Sequence, residues 1–374
     1  MNETIERYDF ASHFSASEMT LITDDIKKLL IRGDYILGEE VEKFENSFSA
    51  YHKVNACVGC NSGTDALILA LMALGIGMGD EVIIPANTFY ATALSVSRVG
   101  AVPVLVDVNP NDFLINPALI SEKITKKTKA ILVVHLYGQS CDMAPISKIC
   151  KDHGLFLVED CAQAHGALYH GQLVGTFGDI ACFSFHPSKN LPAAGDAGAC
   201  ITNTPQLADK MRVIRHLGQE KQNYHIMLGL NSRLDSLQAL ILNYRLAKLD
   251  SWNMQRNQIA AIYKNNLRDL PVEFQTTPSG SFHVYHLLQI KVANRDDVVA
   301  YLQRNGVDAV IRYPFPIHKQ RAFAFLNHEY GLFPVSNSLA ETLLCLPLHP
   351  TLSFEKIDRV CALLHDYFDG PSKL

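Results

Sequence analysis

The sequence predicts an α/β fold in which a mainly parallel central sheet is flanked by helices and followed by a smaller C-terminal α/β domain. Short apolar runs alternate with helix-length segments between residues 81 and 185, which is typical of βαβ units whose strands are buried on both faces. The strand-rich pattern stops near residue 243 and resumes weakly from Phe282. The length of 374 residues also favours two domains. We therefore expect domains at residues 1–245, with an N-terminal helical segment, and 246–374.

The composition excludes several classes of protein. It is 48% hydrophobic and 19% charged, with a formal net charge of −5. Nucleic-acid-binding proteins usually carry a basic excess, so we expect no nucleic-acid partner. The first ten residues are polar and acidic, unlike a signal peptide. Since there is no apolar run of roughly 18 residues, we expect no membrane span and a cytoplasmic protein.

The N-terminal part predicts two amphipathic helices, over residues 17–31 and 38–51. A third helix follows residues 61–65, NSGTD, and its apolar sequence predicts that it is buried. The Gly and hydroxyl residues at its start form either an ordinary N-cap or, because helix N-terminal N–H groups bind anions, a phosphate site. The segment GIGMGD, residues 75–80, follows a helix and precedes a strand, which is the wrong context for a dinucleotide-binding turn.

The middle of the chain predicts a regular alternation of strands and helices. Strands are expected at residues 81–85, 102–108, 130–136, 155–160 and 180–185, with turn or helical segments at 86–100, 117–124 and 142–153. Ligands of open parallel sheets bind beyond the carboxyl ends of the strands. Phe89 lies just past such an end, and is either a core aromatic or a ring that stacks on a flat ligand.

The C-terminal part is richer in helices. Helices are expected at residues 205–218, 231–267 (one or two), 295–305, 334–344 and 353–367, with strands at 284–292 and 309–313. Nine cysteines, an odd number, are scattered through apolar segments. Cys57 and Cys60 form a C-x-x-C pair, but no second ligand pair or redox context accompanies them. We interpret the cysteines as structural.

Two residues near strand ends indicate the chemistry. Asp160 ends one predicted strand, and Lys189 follows the next after a short turn. A lysine amine forms a Schiff base with an aldehyde, and a carboxylate keeps a pyridine nitrogen protonated. The pair therefore predicts a pyridoxal 5'-phosphate (PLP) site. Each residue alone has a commoner explanation, since a strand-end Asp usually caps a helix or turn and such a Lys is usually solvated.

Motifs over nearly the whole chain resemble those of one family. They are ILGEEVEKFE, SGTDALILAL, GDEVIIPANTF, VHLYGQSCDM, VEDCAQAHGA, GDIACFSFHPSKNL, GDAGACITN, NSRLDSLQA and YPFPIH. This set is similar to that of the DegT/DnrJ/EryC1/StrS aminotransferases, which are PLP enzymes of aspartate aminotransferase fold type I. Two positions depart from the family pattern. Ala197 stands where a second Gly is frequent, and Arg312 stands where His is frequent, on the substrate side.

The resemblance implies roles for eight residues. These are Lys189 as the Schiff-base lysine, Asp160 as the partner of the pyridinium, Gln163 near the ring hydroxyl, Phe89 stacked on the ring, Ser184, Gly63 and Thr64 at the phosphate, and Asn231 at the phosphate of the neighbouring subunit. The role of Asn231 implies a homodimer with shared active sites. No metal is implied.

The resemblance also implies a two-step transamination in which glutamate is the amino donor, a keto-sugar is the acceptor and Lys189 moves the proton. The segment NSRLDSLQA, preceded by Tyr224 and His225, is most similar to enzymes that aminate C3 of a nucleotide-linked 3-keto-6-deoxyhexose. A keto-cyclitol or a C4-keto nucleotide sugar is the alternative acceptor, and a non-catalytic PLP-binding regulator is a remote alternative. The presence of Lys189 rather than His argues against the related dehydratases.

Overall fold

The computed structural model describes residues 4–11, 14–327 and 330–370. The helices are α1 Ala16–Arg32, α2 Glu39–His52, α3 Gly63–Ala73, α4 Tyr90–Arg98, α5 Met143–His153, α6 Pro205–Arg215, α7 Ser236–Leu246, α8 Leu249–Asn266, α9 Arg295–Arg304, α10 Pro334–Thr342 and α11 Phe354–Asp369. None of the helices in these ranges has the length and apolar character needed to cross a membrane.

The strands are short and fall into one large sheet and several small ones. They are β1 Ala56–Cys60, β2 Glu81–Pro85, β3 Val102–Val106, β4 Thr128–Val134, β5 Phe156–Asp160, β6 Leu168–Tyr169, β7 Gln172–Leu173, β8 Ile180–Ser184, β9 Gly198–Thr202, β10 Gln219–Lys221, β11 Tyr224–His225, β12 Glu273–Phe274, β13 Ser281–Phe282, β14 Leu288–Lys291 and β15 Leu343–Leu346. The central sheet has seven strands in the order β1-β9-β8-β5-β4-β2-β3.

The predicted mainly parallel sheet is confirmed. Pairing is parallel from β3 through β2, β4 and β5 to β8, and only β9 runs against its neighbours in this sheet. Asp160 pairs with Cys182 in the β5–β8 register. Ser184 and Cys60 both pair with Gly198. The carboxyl ends of β1, β5 and β8 therefore meet at one edge, and α3 begins beside that edge.

Helices cover both faces of this sheet. The predicted burial of α3 is confirmed, because most of its apolar side chains are inaccessible to solvent. On another part of the sheet, the Phe48 ring of α2 contacts the rings of Phe183 and Phe185 edge-on, at 5.0 and 5.4 Å between centroids. Such edge-to-face pairs add about 0.5–1.5 kcal/mol each to the stabilisation from apolar burial.

A separate hydrophobic core lies in the C-terminal part. There α8, α9 and α11 pack against β14 and β15. Ile5 joins this core and pairs with Val307, so the N-terminal segment is attached to the C-terminal part. The position of a domain boundary at residue 245 stays a prediction.

Several predicted elements are wrong in detail. Residues 117–124 form two short 3₁₀ turns rather than one helix, and the chain is extended again at Ile124. Residues 309–313 make a single bridge, between Val310 and Cys345, rather than a strand. The predicted strand 284–292 is reduced to β14, because Val284 and Leu287 bond instead to the main chain of residues 137–138.

One strand was hidden inside a predicted helix. The helix expected at residues 334–344 ends at Thr342, and the next four residues form β15. All four residues of β15 are buried and pair with β14. The pairing therefore overrides the helical continuation that the apolar pattern suggested. The nine cysteines are free and buried, in agreement with a structural role.

Candidate active site

Seven of the eight predicted site residues line one cavity with a volume of about 280 Å³. They are Gly63, Thr64, Phe89, Asp160, Gln163, Ser184 and Lys189. Tyr8, His286, Arg312 and Tyr313 also line it. A larger cavity of about 780 Å³ lies among α1, α2 and α7, but its charged side chains mostly pair with one another. The chemistry therefore belongs to the smaller cavity, at the carboxyl edge of the sheet.

Asp160 ends β5 and is only 5% exposed. Thr92 Oγ1 donates to its Oδ2 at 2.9 Å, and the Ala162 N–H donates to its Oδ1 at 3.1 Å. Burial raises the pKa of Asp160, while these two hydrogen bonds and the charge of Lys189 act in the opposite direction. A carboxylate accepts about four hydrogen bonds, so Asp160 retains acceptor capacity for a protonated ring nitrogen.

Lys189 follows the turn that leaves β8. Its main-chain N–H donates to the His186 carbonyl at 2.8 Å. The main-chain N–H of Ser188 donates to His186 Nδ1 at 3.2 Å, and together these bonds fix the turn. Burial lowers the pKa of Lys189 to about 8, Asp160 opposes this shift and Arg312 adds to it. More of the nucleophilic neutral amine is therefore present near neutral pH than in a free lysine.

The N-terminus of α3 lies against the end of β8. A Cβ at Gly63 would lie 2.5 Å from Ser184 Cβ, so only glycine allows this approach. Ser62 caps the helix by accepting from the Asp65 N–H at 3.1 Å. The first N–H groups of a helix have no acceptor within the helix, and together with the Ser184 hydroxyl they form a site suited to a phosphate. The Ser62 cap therefore leaves other N–H groups of this helix end available to an anion.

Gln163 connects the cavity to its C-terminal wall. Its Oε1 accepts from the Tyr137 N–H at 2.7 Å, and its Nε2 donates to the Tyr313 hydroxyl at 3.0 Å. Phe89 is 48% exposed, and its ring lies 5.5 Å from that of Tyr313. Phe89 is therefore not a core aromatic, and its face is available to a flat ligand.

Behind Asp160, Glu159 is inaccessible to solvent and gathers four donors. The N–H groups of Gly175, Phe177 and Gly178 donate at 2.7, 2.8 and 2.7 Å. His135 Nδ1 accepts from a main-chain N–H, which leaves its Nε2 to donate to Glu159 at 3.0 Å. Although His135, Glu159 and Cys161 lie close enough together to suggest a metal site, the carboxylate is already satisfied by these donors. The cluster is structural.

A second buried network begins at Asn190, next to Lys189. Asn190 Nδ2 donates to Asn253 Oδ1 and to the Val284 carbonyl, both at 2.9 Å. Its Oδ1 must therefore accept, and His286 Nδ1 donates to it at 3.2 Å. Asn253 belongs to α8 and in turn donates to the His165 carbonyl at 2.8 Å. The residue after Lys189 is thus connected to a helix of the C-terminal part.

Asn231 is the predicted residue that the structure does not bring to the cavity. It is exposed, and its Oδ1 accepts from Arg233 Nη2 at 2.8 Å. Four contributors were missed from the sequence: Thr92, Tyr8, His286 and Tyr313. Tyr313 stands in the quoted motif YPFPIH and Thr92 lies three residues after Phe89 on the start of α4, but nothing in their spacing indicated contact with Gln163 or Asp160.

The residues present fit PLP. The α3 N-terminus and Ser184 suit its phosphate, Asp160 suits the ring nitrogen and Lys189 suits the aldehyde. Asp160 is buried but accepts only two hydrogen bonds from the described residues, unlike Glu159, which accepts four. A cation that approached Asp160 would compensate the cost of burying its charge.

Comparison with known proteins agrees with this site. The model of the DegT/DnrJ/EryC1/StrS aminotransferase family matches residues 17–365. The chain is 44% identical over 346 residues to the dTDP-3-amino-3,6-dideoxy-alpha-D-galactopyranose transaminase of Aneurinibacillus thermoaerophilus, covering 92% of this chain and 95% of that protein. It is 42% identical over 369 residues to the UDP-N-acetyl-3-dehydro-alpha-D-glucosamine 3-aminotransferase of Acidithiobacillus ferrooxidans, covering 99% of both.

A solved structure is also similar over the whole chain. S. venezuelae DesV, in complex with a ketimine intermediate, superposes with a TM-score of 0.95 at 39% identity and covers 98% of this chain and 99% of that one. Family, fold and cavity therefore lead to the same result. The chain belongs to the DegT/DnrJ/EryC1/StrS aminotransferase family and is a PLP-dependent sugar aminotransferase.

Proposed function

We propose that this enzyme moves the amino group of glutamate to C3 of a nucleotide-linked 3-keto-6-deoxyhexose. The observation that carries this proposal is the pair of close relatives named for 3-amino products or 3-keto substrates, one linked to dTDP and one to UDP. The dTDP relative is named for a 3,6-dideoxy product, which favours the 6-deoxy acceptor over a 2-acetamido sugar.

We assign roles to the cavity residues as follows. PLP, when bound, supplies an electron sink for the negative charge that develops on the donor α-carbon. Asp160, oriented by Thr92 and Ala162, holds a proton on the ring nitrogen. The Nζ of Lys189 removes the proton from the donor α-carbon as general base and delivers it to the C4′ carbon of the cofactor as general acid.

The remaining residues bind and orient. Ser184, Gly63 and Thr64 bind the phosphate, and Phe89 stacks on the ring. Gln163 is held by Tyr137 and Tyr313, and its amide would contact the ring hydroxyl. With these roles, the phosphate would lie at the α3 end of the cavity and the substrates at the end formed by residues 312–313.

The substrate is tested by a glutamate-dependent amination screen. The panel contains a dTDP-3-keto-6-deoxyhexose, a UDP-linked 3-keto-2-acetamido sugar, a C4-keto nucleotide sugar and a keto-cyclitol, with Lys189→Ala as the inactive control. We expect the dTDP sugar to give a kcat/KM at least ~10-fold above the others. A higher value for any other member replaces the proposed acceptor. If glutamate leaves the cofactor absorbance of the wild-type protein unchanged, glutamate is not the donor.

We further propose a homodimer in which Asn231 completes the active site of the neighbouring subunit. Asn231 is exposed and lies outside its own cavity. The segment before it presents apolar side chains to solvent, including Tyr224 at 58%, Ile226 at 45% and Leu228 at 90% exposure. A contiguous exposed apolar segment marks an interface, and a dimer would cover it.

Subunit mixing tests the shared site. Lys189→Ala and Asn231→Ala each impair both sites of their own dimers. A mixed dimer has one site with an intact lysine from one subunit and an intact asparagine from the other. Random mixing should therefore restore about a quarter of the wild-type rate. No recovery after exchange of subunits, verified by mass measurement of tagged hybrids, would contradict the shared site. Leu228→Lys should yield monomers by sedimentation, and a stable dimer would argue against this interface.

A further inference from the structure

The cavity wall formed by residues 312–313 contains an arginine whose main chain is held by two hydrogen bonds. The carbonyl of Arg312 accepts from the Tyr137 hydroxyl at 2.9 Å and from Gln289 Nε2 at 3.0 Å. Its side chain lines the same cavity as Lys189, and its charge contributes to the low pKa of that lysine. Arg312 is therefore held where its charge acts on the reacting groups.

The guanidinium of Arg312, a partly exposed residue of the cavity wall, differs from those of the buried arginines. Arg245, Arg256 and Arg295 each donate to two main-chain carbonyls. Within the described ranges, the Arg312 side chain makes no ion pair or hydrogen bond. A guanidinium presents five donors in a planar fork that matches a carboxylate. The Arg312 donors have no acceptor from the described protein and open onto the cavity, so they are available to an anionic ligand.

Charge in the cavity narrows the choice of ligand. Burial lowers the pKa values of His186 and His286, so these side chains are neutral. Lys189 and Arg312 are then the two cationic side chains among the described lining residues, and Lys189 is occupied by the covalent link and proton transfer. The phosphate has its own donors at the α3 end. Every α-amino acid donor brings a carboxylate beside the reacting carbon, and Arg312 is the cation left to bind it.

We propose that Arg312 binds the α-carboxylate of the amino donor. This rests on the proposed function only in that the donor is an α-amino acid, and it does not depend on the identity of the sugar. Two N–H···O bonds from the fork would fix the rotation of the donor about its Cα–N bond and so direct the α-hydrogen towards Lys189. Arg312 is thus a donor-binding residue.

The test compares donors with and without the α-carboxylate on the holoenzyme. Glutamate and 4-aminobutyrate differ by that one group, and conversion of the cofactor is followed by absorbance in single turnovers without any sugar. Binding without turnover is measured by spectral titration with 2-methylglutamate, which has no α-hydrogen. The variants are Arg312→Gln and Arg312→Lys. The matched control is Arg321→Gln, at an exposed position nine residues further on.

We expect Arg312→Gln to lower the second-order rate constant for glutamate ~100-fold and to weaken 2-methylglutamate binding by a similar factor. The constant for 4-aminobutyrate should change by less than about threefold. Arg312→Lys should recover part of the loss, and Arg321→Gln should match the wild type. Equal losses for glutamate and 4-aminobutyrate, or unchanged 2-methylglutamate binding, would overturn the assignment. If another α-amino acid is the better donor, the same comparison applies to it and its decarboxylated analogue.

Discussion

Substitution of Asp160 by Asn should separate activity from stability. Asp160 is 5% exposed and accepts from Thr92 Oγ1 and from the Ala162 N–H. The change removes one negative charge while keeping the shape of the side chain. Two opposite unit charges about 4 Å apart attract by roughly 4 kcal/mol at an effective dielectric constant of about 20. This energy corresponds to a ~10³-fold lower rate of the glutamate half-reaction.

The stability of the cofactor-free protein, in contrast to the activity, should not fall in this variant. Burial raises the pKa of Asp160 in the folded state, so the ionised carboxylate opposes folding, and this destabilisation grows as pH rises above the unfolded pKa. A neutral amide relieves it. The Thr92 hydroxyl can donate or accept, so it tolerates the amide. The urea-unfolding free energy of the Asp160→Asn apoprotein at pH 7 should therefore equal or exceed that of the wild type.

The assay pairs stopped-flow absorbance of the holoenzyme with urea unfolding of the apoprotein. Asp209→Asn, at an exposed carboxylate on α6, is the control and should change neither quantity. A half-reaction within ~10-fold of the wild-type rate would refute the electrostatic argument. A loss of more than about 1 kcal/mol in the unfolding free energy would refute the assignment of Asp160 as a residue that costs stability.

Three other predictions concern the same region. Gly63→Ala should raise the PLP dissociation constant at least ~10-fold, because the new Cβ would lie 2.5 Å from the Ser184 side chain of β8. In the control Gly77→Ala, the nearest atom to the new Cβ is 3.6 Å away, so the dissociation constant should not change. Absorbance titration measures both constants. The rate at which the apoprotein combines with PLP should rise with pH and level off above about pH 8, because the neutral amine of Lys189 predominates there. A rate that continues to rise up to about pH 10.4 would indicate a lysine with an ordinary pKa. Glu159→Gln should lower the unfolding free energy by about 3 kcal/mol or more, since an amide NH₂ would face buried N–H donors; an unchanged urea midpoint would contradict this.

The sequence contained enough to predict the sheet and the principal pair of site residues. The ends of parallel strands meet at one edge, so Asp160 and Lys189 could be placed together from the alternation of elements alone. In the structure, Asp160 of β5 pairs with Cys182 of β8, so the ends of the two strands lie side by side. The roles of the eight site residues remain proposals, although seven of them line one cavity.

The rest depended on contacts between segments distant in the chain. Tyr313 reaches Gln163 across 150 positions, and no local pattern encodes such a contact. β15 was hidden because LLCL continues the apolar pattern of the helix before it, and its strand conformation is set by pairing with β14. Residues 117–124 have helix-like apolar spacing, but each of their two turns is only three residues long.

The hydrogen bond between Asn190 and Asn253 of α8 should allow the state of Lys189 to be followed by tryptophan fluorescence. The chain has one tryptophan, Trp252, and it immediately precedes Asn253 on that helix. Asn190, adjacent to Lys189, donates to Asn253 at 2.9 Å. If the main chain at Lys189 shifts when its amine is released from the cofactor, the surroundings of the Trp252 indole should therefore change. Intrinsic emission at Trp252 would then follow each half of the catalytic cycle without a label, and Asn253→Ala should uncouple that emission from the cofactor absorbance.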